Sequence, residues 1–487
     1  AAGPIVCGAA AVTSGQTRLS LADRRPIGTA RDAEPSEVES ALVAAVAAQP
    51  AWNARGGAAR AGVLRRMGDA LEAEMDRLIG LIAVEGGRTL QDGIDEVREA
   101  IDFCRYYAAE AERLFALPQL LPGPAGETNH LELMGRGVFA CISPWNFPLA
   151  IFTGQIAVAL AAGNTVVAKP AEQTPLIAFE AVRLFHAAGA PVDALHLLPG
   201  DGRVGAALTA DPRVAGVAFT GSTATAKAIA RTLADREGAI PVLIAETGGL
   251  NAMFVDTTAL KEQVIDDVVA SAFGSAGQRC SALRLLFLPH ETADAILDGL
   301  AQALEEIQLG DPLDPRTDIG PVIDSEAHAM LVLHMDAMRE VAKVRAVRAQ
   351  PGLPGPFFGP AIVELSDMDQ IDREVFGPIL HIVRYDPAEV AVVGARLAAK
   401  GYGLTLGVHS RLEGFAAAVR DAVPAGNVYI NRSMIGAVVG VQPFGGQGLS
   451  GTGPKAGGPH YLPRFATERT LTINIAAQGG DPALLNL

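Results

Sequence analysis

From residue 138 onward the sequence alternates short apolar runs with segments of helical period, and this alternation restricts the fold more than any other feature. Residues 138–142 (VFACI) read as a buried strand, 148–162 as a helix, 165–168 as the next strand and 176–188 as the next helix. Residues 196–198, 216–220 and 242–245 supply three further short strands. Strands separated by helices at this spacing predict a parallel sheet covered by helices, an α/β architecture. After Gly249 the rhythm restarts with a strand at 253–255, a helix from about Leu260 and a strand at 285–288, predicting a second α/β unit. Open parallel sheets hold their ligands outside the carboxyl ends of the strands.

The first 120 or so residues read as helical after a short irregular lead. Ser36 and Glu39 form a capping box behind Pro35, and Val38, Leu42 and Val46 follow as a stripe. Leu64, Met67, Leu71, Met75 and Leu78 lie on one face of a longer helix. A third helix, from about Gln91, carries Glu99 and the aromatic residues Phe103, Tyr106 and Tyr107, which read as core. Residues 128–142 alternate like a strand pair turning near Gly135 to Gly137, residues 325–341 read as a helix, and 469–475 as a last strand. The segment 443–458, PFGGQGLSGTGPKAGG, is too glycine-rich for regular structure.

At 487 residues the chain is long enough for two or three domains. Its net charge of −15, with basic residues interspersed among acids, disfavours a nucleic-acid partner. Four cysteines without a CxxC pair argue against disulfides and a metal site, and point to a reducing cytoplasm. No apolar run reaches the roughly 20 residues that span a bilayer.

Cys280 sits in FGSAGQRCSAL (273–283), where Gly277 permits unusual backbone angles and Arg279 supplies charge that favours a thiolate. Glu246, in AETGGL, ends an apolar run 34 residues earlier; a cysteine and a carboxylate on separate glycine-marked turns make Cys280 the candidate nucleophile, of a hydrolase or of an acyl-forming oxidoreductase. A cysteine hydrolase needs a histidine to shuttle protons, and the nine histidines occupy no motif of that kind. A nucleotide-type sheet favours redox chemistry on an aldehyde instead. Asn146, in SPWNFP, follows a strand and can donate to a developing oxyanion together with the Cys280 amide. Lys169 and Glu172, in AKPAEQTP, can hydrogen-bond a ribose, and Glu172 would repel a 2′-phosphate, favouring NAD over NADP. Gly221 and Ser222, in FTGST, mark a strand-to-helix turn suited to a pyrophosphate.

The set PWNFP, AKPAEQTP, FTGST, ETGG, GQRCSA, EVFGP and PFGG, in this order, resembles the aldehyde dehydrogenase superfamily along nearly the whole chain. The resemblance implies a Rossmann-type cofactor domain, an α/β catalytic domain and a small β-flap. It assigns Cys280 as nucleophile, Glu246 as base and Asn146 as oxyanion donor. Lys169 and Glu172 would hold the adenosine ribose, Gly221 and Ser222 the pyrophosphate, and Glu374 the nicotinamide ribose, with Phe376 and Trp145 beside the cofactor. Ala226 departs from the glycine that many members carry there. SGTGPKAGGPHYL, CSALR and EAIDFCRYYA are further similar to glutamate semialdehyde (1-pyrroline-5-carboxylate) dehydrogenases, above all to the C-terminal half of bifunctional proline utilization A proteins. That implies a substrate carboxylate held by Ser281 and by free N–H groups of Gly457 and Gly458. Phe147 and Phe444 would sandwich the aliphatic stem, Arg279 would face the substrate, and Glu99 is a candidate for the ammonium.

The implied domains are 1–126 and 138–247 for NAD, with 442–465 returning to them, 248–441 for catalysis, and 127–137 with 466–487 as an oligomerisation flap, in which the strand-like segments 128–138 and 469–475 would pair. A proline dehydrogenase domain or partner and a homo-oligomer follow from the same resemblance, as does a chain that is one piece of a longer protein, consistent with the missing initiator Met. The rival readings are a dehydrogenase of succinate or succinylglutamate semialdehyde and a catalytically silent binding module.

Overall fold

Two seven-stranded sheets organise the chain, seen in a computed structural model that describes residues 1–12, 15–124, 126–349 and 352–474. In the first sheet the strands run Val242–Thr247, Val214–Gly221, Val138–Ile142, Thr165–Lys169 and Leu195–Leu197, all parallel. Ile5–Val6 and Ala9–Ala10 extend it antiparallel at one edge. These two strands come from the lead that reads as irregular in sequence, because two-residue strands carry no periodic signal. Val138–Ile142 and Thr165–Lys169 are buried along their whole lengths, as a sheet covered on both faces requires. The register sets Ile142 opposite Lys169 and Phe219, and Thr220 opposite Glu246, so the carboxyl ends of these strands share one rim.

The second sheet runs Lys343–Val347, Ala361–Leu365, Ile379–Tyr385, Leu285–Pro289, Ala252–Val255, Thr405–His409 and Asn427–Ile430, with only the first pair antiparallel. It encloses its own core, with Phe254 and Phe287 stacked at 4.4 Å. The predicted helix at 325–341 is present as Ser325–Val341.

Three local readings change. The first helix, Pro35–Ala54, is capped by Glu34, which pairs with Glu37 as the capping box; Ser36 lies inside the first turn. Proline at the first helical position places the cap on the residue before it. The long apolar face from Leu64 to Leu78 is divided between Gly56–Ala73 and Met75–Gly86, with Glu74 off helical angles. One aberrant residue leaves the period nearly in phase, so the sequence reads as a single helix. Finally, residues 128–142 do not form a hairpin. Glu127–Gly135 pairs antiparallel with Ala466–Asn474 and Gln119–Leu121 in a separate three-stranded sheet, while Val138–Ile142 turns into the first sheet. Residues 475–487 of the expected flap lie outside the described residues. Among the described residues no helix is long and apolar enough to cross a membrane.

Candidate active site

A cavity of about 400 Å³ opens where the rim of the first sheet meets the entry loops of the second, and both Cys280 and Glu246 line it. Cys280 stands between helix Lys261–Phe273 and strand Leu285–Pro289, as the sequence places it. The approach to it is sharply bent: Ser275, Ala276 and Gly277 have φ of 56°, 55° and 65°. Two non-glycine residues in the left-handed region are costly unless their surroundings hold them. Here Asp92 accepts from the Ser275 hydroxyl at 2.8 Å and pairs with Arg279 at 2.8 Å, while Arg279 Nε donates to Ser275 Oγ. The Cys280 and Ala282 carbonyls accept from the Asn251 amide at 2.6 and 3.0 Å.

This geometry corrects the role expected of Arg279. Its guanidinium is turned to Asp92, whose carboxyl Arg88, Arg279 and Ser275 hold down at about 2 although burial opposes them. The cation that favours a Cys280 thiolate is instead the buried Arg284. Burial, reinforced by the carboxylates of Glu374 and Glu246, outweighs it and pushes the thiol up to about 12. Arg279 still lines the cavity, with its guanidinium carbon 5.4 Å from the Phe147 ring.

Glu246 ends a strand of the first sheet. Its Oε2 accepts from the Gly446 N–H at 3.0 Å, while its Oε1 is buried without a hydrogen-bond partner. Burial lifts its carboxyl to about 8, against the Gly446 N–H and nearby Lys455. Glycines at 445 and 451 make room for it: a Cβ on Gly445 would stand 3.0 Å from Oε1 and one on Gly451 2.8 Å from Oε2. The glycine-rich segment 443–458 is thus the seat of the carboxylate.

Asn146 is buried, and its side-chain amide donates to the Gln278 carbonyl at 3.1 Å, two residues before Cys280. The Asn146 carbonyl accepts from Arg88, which lies 4.4 Å from the Phe147 ring and pairs with Glu96 at 3.2 Å. Glu96 in turn accepts from the N–H groups of Leu149 and Ala150, at the start of helix Ala150–Ala161. Arg88, Asp92 and Glu96 are site residues that the sequence motifs do not mark, although charges recurring every fourth residue into helix Leu90–Leu114 are a visible signal.

Phe147, Phe444, Ser281 and Glu99 also line the cavity. Burial and the neighbouring Glu96 raise the Glu99 carboxyl to about 7, with Arg279 and Arg88 opposing. Phe103 and Tyr107 are core residues, as read, yet both reach the cavity wall. Gly457 and Gly458 differ from expectation. Their N–H groups are already engaged, by the Tyr107 hydroxyl at 2.9 Å and by the Lys455 carbonyl at 3.2 Å, and neither residue lines the cavity. They offer no free anion pocket in this structure.

The remaining predicted residues lie along the same rim or across from it. Lys169 ends its strand buried, with Nζ donating to the Pro170 carbonyl at 2.9 Å and 3.9 Å from the half-exposed Glu172. Gly221 leads into Ser222, whose hydroxyl accepts from Thr225 N–H and caps helix Thr223–Ala234. Ala226 sits half-buried on that helix and packs on the apolar core beneath it. On the facing loop Glu374 pairs with Arg284 at 3.2 Å, and Phe376 meets Trp145 edge-on at 5.4 Å.

The model of the aldehyde dehydrogenase family matches residues 12–471. The chain belongs to the aldehyde dehydrogenase family. Bifunctional protein PutA of Escherichia coli (strain K12) is 51% identical over 466 residues, covering 93% of this chain and 34% of that protein. The chain therefore spans about a third of the length of the bifunctional relatives it matches. The 1-pyrroline-5-carboxylate dehydrogenase of Geobacillus sp. (strain WCH70) is 33% identical over 470 residues, covering 94% of this chain and 90% of that enzyme. Among solved structures, 1-pyrroline-5-carboxylate dehydrogenase from Thermus with bound NAD superposes with a TM-score of 0.93 at 32% identity, covering 97% of this chain and 93% of that one. An aldehyde dehydrogenase needs a nucleophile, a base and a cofactor rim, and this cavity and its border supply candidate groups for all three.

Proposed function

We propose that this aldehyde dehydrogenase oxidises L-glutamate γ-semialdehyde to L-glutamate with NAD⁺. The observation that carries the reading is one cavity shared by a bent-loop thiol, Cys280, and a buried carboxyl with a bare oxygen, Glu246. Cys280 adds to the aldehyde carbon as its S–H proton passes to water, and the carbonyl π electrons move onto oxygen. Asn146, fixed at Gln278 by one amide proton, has its second to donate to the oxyanion, alongside the Cys280 N–H. A bound nicotinamide supplies the hydride acceptor for the oxidation. The resulting thioester on Cys280 is hydrolysed by water that loses a proton to Glu246. A carboxyl lifted to about 8 suits that task near neutral pH.

The rim fits a dinucleotide. Lys169 is buried with a single carbonyl acceptor in hydrogen-bond range, which leaves ammonium protons for ribose oxygens. The capped start of helix Thr223–Ala234 presents N–H groups to a pyrophosphate. Glu172 disfavours a 2′-phosphate, and Glu374 with Phe376 and Trp145 takes the nicotinamide side.

Ser281, Phe147 and Phe444 fit the substrate's head and stem, and Glu99 suits its ammonium. The 33% identity to a 1-pyrroline-5-carboxylate dehydrogenase supports this substrate over succinate semialdehyde. The reading includes a proline-oxidising domain or partner as supplier, a cytoplasmic site, and assembly of copies through the sheet of Glu127–Gly135 and Ala466–Asn474. It also includes the division into cofactor, catalytic and flap domains. The test is NADH or NADPH formation with glutamate semialdehyde beside succinate semialdehyde. A strong preference for the amino-acid aldehyde with NAD⁺ is expected. Preference for succinate semialdehyde would discard the substrate, and no turnover would revive the silent module.

A further inference from the structure

Arg284 interrupts an apolar run, SALRLLFLP, and its side chain is only 1% exposed. Its Nη1 donates to the carbonyls of Gly277 at 2.7 Å and Gly377 at 3.2 Å. Its Nη2 donates to the Arg279 carbonyl at 3.0 Å and to Glu374 Oε1 at 3.2 Å. The guanidinium carbon stands 5.2 Å from the centre of the Phe376 ring. Gly277 and Arg279 belong to the bent approach to Cys280; Glu374, Phe376 and Gly377 belong to the facing loop. The two loops touch closely even apart from this side chain, since a Cβ on Gly277 would collide with the Gly377 carbonyl. A buried guanidinium must have acceptors. Here all four come from these two loops, and the planar fork reaches both at once as an ammonium cannot.

We propose that Arg284 is a positioning residue that fastens the Cys280 loop to the Glu374 loop, so that nucleophile and cofactor-side carboxylate are set as one unit. The role of Glu374 toward the cofactor rests on the proposed function; the fastening itself does not. The charged and titratable groups that act with the Cys280 thiol are Glu374, Glu246 and Arg284, with Tyr429 coupled to it as well. Arg284 favours the thiolate and the two carboxylates oppose it. A change at Arg284 is therefore felt at both loops.

The test uses the full chain without aldehyde. Alkylation of Cys280 by iodoacetamide is followed against pH by peptide mass, NAD⁺ affinity by calorimetry, and folding by thermal melting. Arg284→Gln moves the alkylation profile to higher pH, slowing the reaction about tenfold at fixed pH for each unit moved, and weakens NAD⁺. Arg284→Lys restores the charge but not the fork, so the alkylation profile returns toward the parent's while NAD⁺ affinity stays low. Glu374→Gln moves the profile to lower pH. An arginine that only holds the fold together would lower the melting temperature and leave alkylation and NAD⁺ affinity as in the parent, which overturns the proposal. Should Arg284→Gln fail to fold, Glu374→Gln decides, and an unmoved alkylation profile there overturns it. A parent that does not take NAD⁺ would remove the cofactor reading and leave the alkylation arm to judge the fastening.

Discussion

The two large sheets present their chemistry from opposite ends. In the first, Asn146 follows strand Val138–Ile142, Glu172 follows Thr165–Lys169, Ser222 follows Val214–Gly221, and Glu246 stands one residue from its strand's carboxyl end. In the second, Cys280 precedes strand Leu285–Pro289 and Glu374 precedes Ile379–Tyr385, at the amino ends. Groups on the first rim lie on, or within a few residues of, buried strands whose register fixes the rim. Groups on the second depend on loops held by side chains from elsewhere: Asp92, Asn251 and Arg284. The first half starts from strand ends and is finished by contacts such as Arg88 on Asn146 and Gly446 on Glu246, whereas the second rests on tertiary contacts throughout.

The largest effect expected from breaking this arrangement is at Cys280. Cys280→Ala should reduce NADH formation to background while calorimetry still finds NAD⁺ bound, because Lys169 and Ser222 lie on the other sheet's rim and Glu374 keeps its pairing with Arg284 when the thiol is removed. Next comes the pH dependence of the proposed base, Glu246. Its folded pKa lies near 8, so the carboxylate is the minor form below that and the major form above. Steady-state turnover should therefore rise as pH increases through about 8, and Glu246→Gln should flatten that limb.

Gly277→Ala sharpens the contrast between loop and strand. It places a side chain at φ 65° and against the Gly377 carbonyl, so it should destabilise the fold by about 1–3 kcal/mol in urea unfolding. Gly451→Ala, whose Cβ would press on Glu246 Oε2, should lower turnover with a smaller loss of stability. Parental turnover in that variant would show that the carboxylate has room to move. The smallest effect is at the rim: Glu172→Ala should raise use of NADP⁺ relative to NAD⁺ several-fold, measured as a ratio of kcat/KM values.

The same contrast explains what was legible in the sequence. Val138–Ile142 and helix Ser325–Val341 emerged with the bounds read from apolar period, and Asn146, Lys169, Ser222 and Glu246 stood out as polar residues at the ends of apolar runs. Cys280 and Glu374 drew notice through their motifs rather than through any period. Arg284 and Asn251 were missed because their partners lie far along the chain or in another loop; Asn251 reaches Cys280 across 29 residues. Local sequence makes Arg279 the thiolate's counter-charge because its partner Asp92, 187 residues away, is invisible to local inspection. The hairpin near Gly135 to Gly137 does not form, whereas the flap pairing expected between 128–138 and 469–475 is present, as Glu127–Gly135 on Ala466–Asn474. Gly457 and Gly458 looked free because Tyr107, which occupies one of them, lies 350 residues earlier.

The most direct test of the shared cavity is the Glu246→Gln variant given glutamate semialdehyde and NAD⁺, followed in the first turnover and then by intact-protein mass. A burst of one NADH per site, a steady state reduced by about 10²–10⁴-fold and a glutamyl adduct on Cys280 are expected. Parental steady-state turnover with no adduct on Cys280 would contradict the account.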